Sequence, residues 1–152
     1  MRIMGLDVGD KTIGIAISDS LLLTAQGKTT IQRSGFDAET RQLRAMAEEY
    51  EVHQLVVGNP LHMDGRPSRQ GDKIMKFGRK LGLALELPVV FWDERLTSVA
   101  AEEHLEEMGL NWRERKKHVD KIAAMFILQS YLNSLVKPAV DPGVESTGPI
   151  SS

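Results

Sequence analysis

Carboxylate side chains in three separated segments of the chain have the chemistry of ligands for a divalent metal ion. Asp7 lies in an apolar run near the N-terminus, Asp93 and Glu94 follow a later apolar run, and Asp120 lies in a helical pattern. Acids that meet in a folded protein repel one another unless their protonation shifts or a cation binds, and hard oxygen ligands suit Mg²⁺ or Mn²⁺. If the segments converge, they favour metal-assisted hydrolysis of a phosphodiester.

The segment around Asp7 predicts a β-hairpin. Residues 3–8 and 12–18 are rich in Ile and Val, and the Gly9-Asp10 pair between them can supply the positive φ angles of a tight turn. An Asp beside a Gly often only ends a strand and helps the turn, so this segment alone gives Asp7 no chemical role.

Strand alternation predicts two different faces for this hairpin. A two-residue turn would pair Val8 with Lys11 and would place Asp7 opposite Thr12. One face then collects the large apolar side chains, which are Met4, Leu6, Val8, Ile13, Ile15 and Ile17. The other face carries Asp7 among small residues, which are Gly5, Thr12, Gly14, Ala16 and Ser18. A bulky ligand can approach Asp7 closely on such a face.

The later patterns predict an α/β fold around one mixed sheet. A third antiparallel strand over residues 21–31 has Gly27 at a bend or bulge, and Asp37 is placed to cap the first helix. The remaining elements are strands over residues 53–58 and 88–92 and helices over residues 37–50, 68–87 and 99–108. A capping box at Asn111 and Glu114 marks the start of a last helix. A helix that leads into a short, continuously apolar strand indicates parallel pairing.

One globular domain is expected over residues 1–136. Residues 137–152 are rich in Pro, Gly and Ser, which is typical of a disordered tail. With 152 residues and a net charge of -2, the chain has room for one core and has no overall basic field, so nucleic-acid binding would need a local patch or metal ions.

The composition also limits the chemistry and the compartment. The chain has no Cys, which excludes disulfides, thiolate nucleophiles and Cys-bound zinc. There is no signal-peptide pattern, and no apolar run approaches the roughly 20 residues that a membrane span needs. We therefore expect a cytoplasmic protein that does not bind a membrane.

Four cations recur along one face of the helix predicted over residues 68–87. They are Arg69, Lys73, Lys76 and Lys80, and Arg66 precedes them in a loop dense in turn-forming residues. A charge stripe is most often a solvated helix face, but this alignment with a loop cation also suits a phosphate backbone. Arg66, Lys73 and Lys76 are therefore candidate substrate contacts.

Four segments, in this order, resemble the YqgF (RuvX) family of Holliday-junction-resolvase-like proteins. They are LDVGDKTIGIAISD, VVGNPLHMDG, WDERLTS and KKHVDKIAAMFIL. The resemblance covers about residues 1–136 and implies an RNase H-like fold, with a five-stranded mixed sheet that opens with three antiparallel strands. Members of the family are regarded as candidate nucleases for the 5′ end of the small-subunit ribosomal RNA precursor.

The resemblance also implies roles for individual residues. Carried over one by one, the catalytic and metal-binding acids are Asp7 in LDVG, Glu94 in DERLT and Asp120 in VDKIAA. Strand alternation alone leaves open whether Asp93 or Glu94 faces the metal. The implied cofactor is Mg²⁺ or Mn²⁺.

Four further cations are candidate phosphate contacts near the acids. They are Lys11, Arg95, Lys116 and Lys117, although each also fits an ordinary surface position. Thr12 stands where the family frequently has Arg, which removes one cation from this region.

Several functions stay open. The implied partners are structured RNA, including pre-ribosomal particles, or branched DNA as in the resolvases. The Asp-x-Gly hairpin also resembles the phosphate loop of actin-like and sugar-kinase ATPases, but those proteins close two lobes on ATP and this chain has length for one. A non-catalytic RNA-binding or ribosome-associated module would use the same acids structurally.

Overall fold

The computed structural model describes residues 1–60, 65–66, 68–93 and 112–136, with the side chains of residues 112–120 excepted. The strands are β1 (Arg2–Val8), β2 (Thr12–Ser18), β3 (Ala25–Gln32), β4 (Val52–Asn59) and β5 (Val89–Asp93). The helices are α1 (Phe36–Glu49), α2 (Arg69–Leu85) and α3 (Trp112–Leu135). None of the helices in these ranges is long and apolar enough to cross a membrane.

The five strands form one mixed sheet in the order β3-β2-β1-β4-β5. The first three strands are antiparallel, whereas β4 pairs parallel to β1 and β5 pairs parallel to β4. The predicted α/β class, the three antiparallel N-terminal strands and the parallel crossovers are confirmed.

Each face of the sheet has its own core. The large apolar side chains of the hairpin share a face with Leu43 of α1 and with Ile74 and Leu81 of α2. On the opposite face, α3 packs Ala124 and Leu128 against small and β-branched strand residues. The two helix layers therefore cover the two faces that alternation predicted for the hairpin.

The hairpin register differs from the prediction by two residues. Val8 pairs with Ile13, and Asp7 pairs with Gly14. The connection closes through Gly9, whose N–H donates to the Thr12 carbonyl at 2.9 Å. A shift of two positions leaves every side chain on its original face, because strand side chains alternate with a period of two.

The third strand begins at Ala25, and the expectation of a strand from residue 21 was wrong. The Asp19 carboxylate accepts hydrogen bonds from the N–H groups of Leu23 and Thr24, at 2.8 and 3.0 Å. These bonds hold a turn where the apolar run had indicated a strand. The predicted bulge at Gly27 is confirmed, since the register shifts between Ile15 and Ala16 of the neighbouring strand.

The start of α1 also differs from the prediction. Gly35, with a φ of 101°, is the N-cap, and Asp37 lies in the first turn without capping it. Ser68 caps α2, accepting a hydrogen bond from the Gly71 N–H at 2.8 Å. The helix predicted over residues 99–108, the capping box at Asn111 and the tail over residues 137–152 lie outside the described part of the chain.

Candidate active site

Asp7 lies half-buried on β1, on the sheet face that α3 covers. Gly14 is its partner across the hairpin, and Gly5 and Ala16 form the next pair on that face. Two of these three neighbours have no side chain, and the third has only a methyl group. The predicted small-residue face around Asp7 is confirmed.

Helix α3 packs directly on this small-residue face. A Cβ atom added at Gly5 would lie 2.7 Å from Leu128 Cβ and 3.2 Å from the Ala124 carbonyl oxygen, so only glycine permits this approach. Ala124 and Ile127 of this helix are buried. Asp120 lies in the same helix, one turn before Ala124. The fold therefore brings the helix backbone that carries Asp120 towards the face that carries Asp7.

Asp93, the last residue of β5, lies on the sheet face opposite to the one that carries Asp7. Trp92 points towards α3, where its Nε1 donates to Ser130 Oγ at 2.9 Å and its ring packs edge-on against Tyr131 at 5.4 Å. Phe91 points to the other side, where its ring lies against Gly78 of α2. Alternation then places Asp93 with Phe91 on the α2 face, opposite to Asp7.

Only part of the predicted site falls on side chains that the structure describes. Glu94 and Arg95 lie outside the described residues, and Asp120 and Lys117 lie in α3 where only the backbone is described. Lys11 is exposed in the turn after β1, and Arg66 is exposed before α2. Among the described side chains, no group of three His, Asp or Glu is placed to hold a metal ion.

Arg33 holds the turn that follows Asp7, and the sequence reasoning missed it. Its guanidinium contacts the Glu39 carboxylate at 2.8 Å and donates to the Gly9 carbonyl at 2.7 Å. Its backbone N–H donates to the Lys11 carbonyl at 2.9 Å, and its guanidinium lies 4.9 Å from the centre of the Phe77 ring. One side chain therefore joins the β1–β2 turn to both α1 and α2.

Glu39 is the buried acid of this arrangement. Its side chain is 2% exposed and also accepts a hydrogen bond from the Ser34 N–H at 2.9 Å. Burial raises the pKa of this carboxyl, but the hydrogen bonds from Arg33 and Ser34 and the charge of Arg33 together outweigh burial, so the pKa is lowered. In the sequence, no local pattern distinguishes Glu39 from the other acids of α1.

The predicted cation stripe lines a groove between α1 and α2. The groove is a cavity of about 610 Å³ whose wall includes Lys73, Lys76 and Lys80 but not Arg69. Val8 and Ile74 also line it, which places it on the sheet face opposite to Asp7. The candidate phosphate contacts on α2 and the candidate catalytic acid therefore lie on different sides of the β1–β2 turn.

Comparison with known proteins gives a family match along most of the chain. A family model described as "RuvX: Holliday junction resolvase" matches residues 1–134. A protein of Caldanaerobacter subterraneus subsp. tengcongensis, named "Putative pre-16S rRNA nuclease", is 51% identical over 135 residues, which cover 88% of this chain and 97% of that protein. A protein of the same name from Clostridium kluyveri is 47% identical over 137 residues, which cover 90% of this chain and 100% of that protein.

Solved structures of resolvases share the fold. Thermus thermophilus RuvC in complex with a Holliday junction substrate matches with a TM-score of 0.58 at 13% identity, covering 91% of this chain and 98% of that one. The fowlpox virus resolvase in complex with Holliday junction DNA matches with a TM-score of 0.57 at 15% identity, covering 90% and 100%. At these identities the likeness concerns the fold, and it confirms the RNase H-like architecture.

Proposed function

The chain belongs to the RuvX family, and from this premise we propose that it is a metal-dependent nuclease that processes the 5′ end of the small-subunit ribosomal RNA precursor. The observation that carries the proposal is the position of Asp7 on a small-residue face against which the helix of Asp120 packs. The name that the relatives share supports the choice of an RNA precursor. Pre-ribosomal particles are then the assemblies in which the protein meets its substrate.

Three carboxylates hold Mg²⁺ or Mn²⁺ in this proposal, and they are Asp7, Glu94 and Asp120. The position of Asp93 on the α2 face, opposite to Asp7, speaks against Asp93 as a ligand beside Asp7 and thereby supports the choice of Glu94. The donor set consists of oxygen atoms only, which fits a hard divalent cation. When bound, the metal supplies an activated water and stabilises the departing oxygen.

Six cations would bind the phosphates of the substrate in this proposal. The proposed contacts are Lys11, Arg66, Lys73, Lys76, Arg95 and Lys117. Lys11 and Arg66 are exposed, and Lys73 and Lys76 line the groove on α2, which supports their access to a polyanion.

Cleavage of a labelled precursor of the small-subunit ribosomal RNA tests the proposal. The unmodified protein is expected to cut near the mature 5′ end with Mg²⁺ and to lose cleavage in EDTA. Asp7→Asn removes one metal ligand and one charge at nearly constant size, and we expect a loss of rate of at least about a hundredfold. Urea unfolding monitored by circular dichroism verifies that the variant retains its fold.

Asp37→Asn is the matched control, because it removes an exposed carboxylate from the first turn of α1. Its cleavage rate is expected to stay within about twofold of the unmodified protein, as is usual for a surface substitution. Undiminished cleavage by Asp7→Asn, or cleavage in EDTA, would contradict the proposed mechanism. RNA binding that is indifferent to Mg²⁺, without any cleavage, would favour a non-catalytic binding module.

A four-way DNA junction is the second candidate substrate. The fold of this chain matches two resolvases whose structures hold Holliday junctions, and the matching family model carries the resolvase description. Parallel assays on the precursor RNA and on a four-way junction, with equal label and equal Mg²⁺, separate the candidates. Preferential cutting of the junction would replace the RNA proposal.

A further inference from the structure

We propose that the groove between α1 and α2 binds an unpaired nucleotide of the strand that is cut at Asp7. The inference rests on the proposed function, because it names the form of nucleic acid that the same site takes. Asp7 and Val8 are neighbours in β1 and point to opposite faces of the sheet, and Val8 lines the groove. A strand whose phosphate lies at Asp7 therefore has only the turn at Gly9 and Asp10 to cross before it enters the groove.

The charges of the groove favour a polyanion. Four cations line it against two carboxylates: Arg33, Lys73, Lys76 and Lys80 against Asp10 and Glu39. Glu39 is already neutralised by its ion pair with Arg33. Among the described residues, no carboxylate forms an ion pair with Lys73 or Lys76, so both ammonium groups are available to phosphates.

The apolar part of the groove distinguishes an unpaired strand from a duplex. Phe36 and Phe77 line it as an edge-to-face pair with ring centres 6.0 Å apart, beside Val8 and Ile74. A duplex presents phosphates and sugars at its outside, whereas an unpaired base offers a flat apolar face to aromatic and aliphatic side chains. A volume of about 610 Å³ lies within the usual range for clefts that bind a small organic molecule.

Fluorescence anisotropy tests the proposal in EDTA, so that binding is measured without cleavage. The probes are a short labelled single-stranded RNA and a blunt RNA duplex of the same length. For the variant with both Lys73→Gln and Lys76→Gln, the single strand is expected to bind about tenfold more weakly, and the slope of log Kd against log salt is expected to fall by about 1.4. The duplex is expected to lose less than about twofold, since it does not enter the groove.

Two further variants test whether the lysines bind nucleic acid in the groove or form only a solvated helix face. Asp10→Asn removes an exposed carboxylate from the rim and is expected to strengthen single-strand binding about twofold, a change opposite in sign to that of the lysine variant. The matched control carries Arg41→Gln and Arg69→Gln, two exposed cations of α1 and α2 that do not line the groove, and its Kd is expected to stay within about twofold.

The outcomes decide between this inference and the proposed function. Equal losses for the single strand and the duplex, or an equal loss in the arginine control, would overturn the groove as a site for unpaired nucleotides. If the protein shows the expected binding changes but does not cut RNA or DNA with Mg²⁺, the groove proposal is supported and the proposed nuclease function is contradicted. If the protein cuts with Mg²⁺ but binds the single strand equally well after the lysine substitutions, the nuclease function is supported and the groove proposal is contradicted.

Discussion

Gly5 on β1 and Leu128 on α3 are in such close contact that a Cβ atom at position 5 would lie 2.7 Å from Leu128 Cβ. The Leu128 atom is fixed to the helix backbone, so an added methyl group cannot be accommodated by rotating a side chain. Because Asp7 follows Gly5 by two residues and Asp120 precedes Ala124 by one helical turn, the same contact determines how closely the helix backbone that carries Asp120 approaches β1. Position 5 therefore links the packing of the fold to the proposed metal site.

Gly5→Ala should destabilise the protein and reduce cleavage together. We expect a loss of about 2 kcal/mol in the free energy of unfolding, the usual cost of overpacking a well-packed core, measured by urea denaturation. Displacement of α3 should also lower the cleavage rate at temperatures where the variant is fully folded.

Gly27→Ala is the matched comparison. A Cβ atom there would lie 2.8 Å from Lys121 Cγ, and that methylene belongs to a flexible side chain. The nearest backbone atom, the Lys121 carbonyl oxygen, lies 3.2 Å away. The loss of stability should therefore be smaller than for Gly5→Ala, and equal losses would show that the contact between Gly5 and Leu128 is not special.

The sequence predicted the faces of the sheet better than it predicted the turns. Alternation of side chains identified both sides of the hairpin, because the large apolar residues recur with period two in both strands. The register, by contrast, depends on a turn closed by backbone groups of Gly9 and Thr12. The start of β3 depends on a carboxylate that captures two N–H groups. These local hydrogen bonds have no periodic signature.

Residues that act through tertiary contacts were the least predictable part of the site. Arg33 and Glu39 lie six positions apart, and their ion pair matters because it also reaches the carbonyl of Gly9, 24 residues before Arg33. The lysines of α2 were recognised as a stripe, but nothing in the helix alone indicates that Lys80 lies 4.4 Å over the ring of Phe36. Such contacts exist only after β1, α1 and α2 have packed together.

The acids at the end of β5 should differ in their effect on cleavage. Asp93 belongs to the face of Phe91 and α2, so Asp93→Asn is expected to retain cleavage within about fivefold. Glu94→Gln is expected to lose at least about a hundredfold, because it removes a proposed metal ligand. The cleavage rates of both variants are measured on one labelled substrate at saturating Mg²⁺. The reverse order would assign the metal to Asp93.

Glu86 lies at a position that glycine would occupy more favourably. It follows α2 with φ 57° and ψ 45°, and Leu87 N–H donates to the Gly82 carbonyl at 3.0 Å, as in a Schellman motif. Glu86→Gly should stabilise the protein by about 0.5 kcal/mol, since relief of left-handed strain exceeds the added entropy of the unfolded chain. Glu48→Gly, at an exposed helical position, should instead destabilise by about 1 kcal/mol. Urea denaturation of both variants measures the contrast.

The ion pair between Arg33 and Glu39 should make stability depend on pH in a defined direction. The pKa of Glu39 is lowered in the folded protein below its ordinary value of 4.5. A carboxyl of this kind contributes stability that is fully present above its unfolded pKa and is lost as the pH falls through its folded pKa. Glu39→Gln should therefore cost about 2 kcal/mol at neutral pH, and the difference from the unmodified protein should shrink progressively as the pH falls below the ordinary glutamate pKa.

Urea denaturation of the unmodified protein and Glu39→Gln over this pH range measures that difference directly. Glu49→Gln serves as the control, because it removes an exposed carboxylate from the last turn of the same helix and should change stability by less than about 0.5 kcal/mol at every pH. Cleavage at neutral pH should fall in Glu39→Gln and not in the control, since Arg33 would lose the partner that holds it against the Gly9 carbonyl beside Asp7. If Glu39→Gln lowers the free energy of unfolding equally at neutral and acidic pH, Glu39 acts through packing and not through its charge.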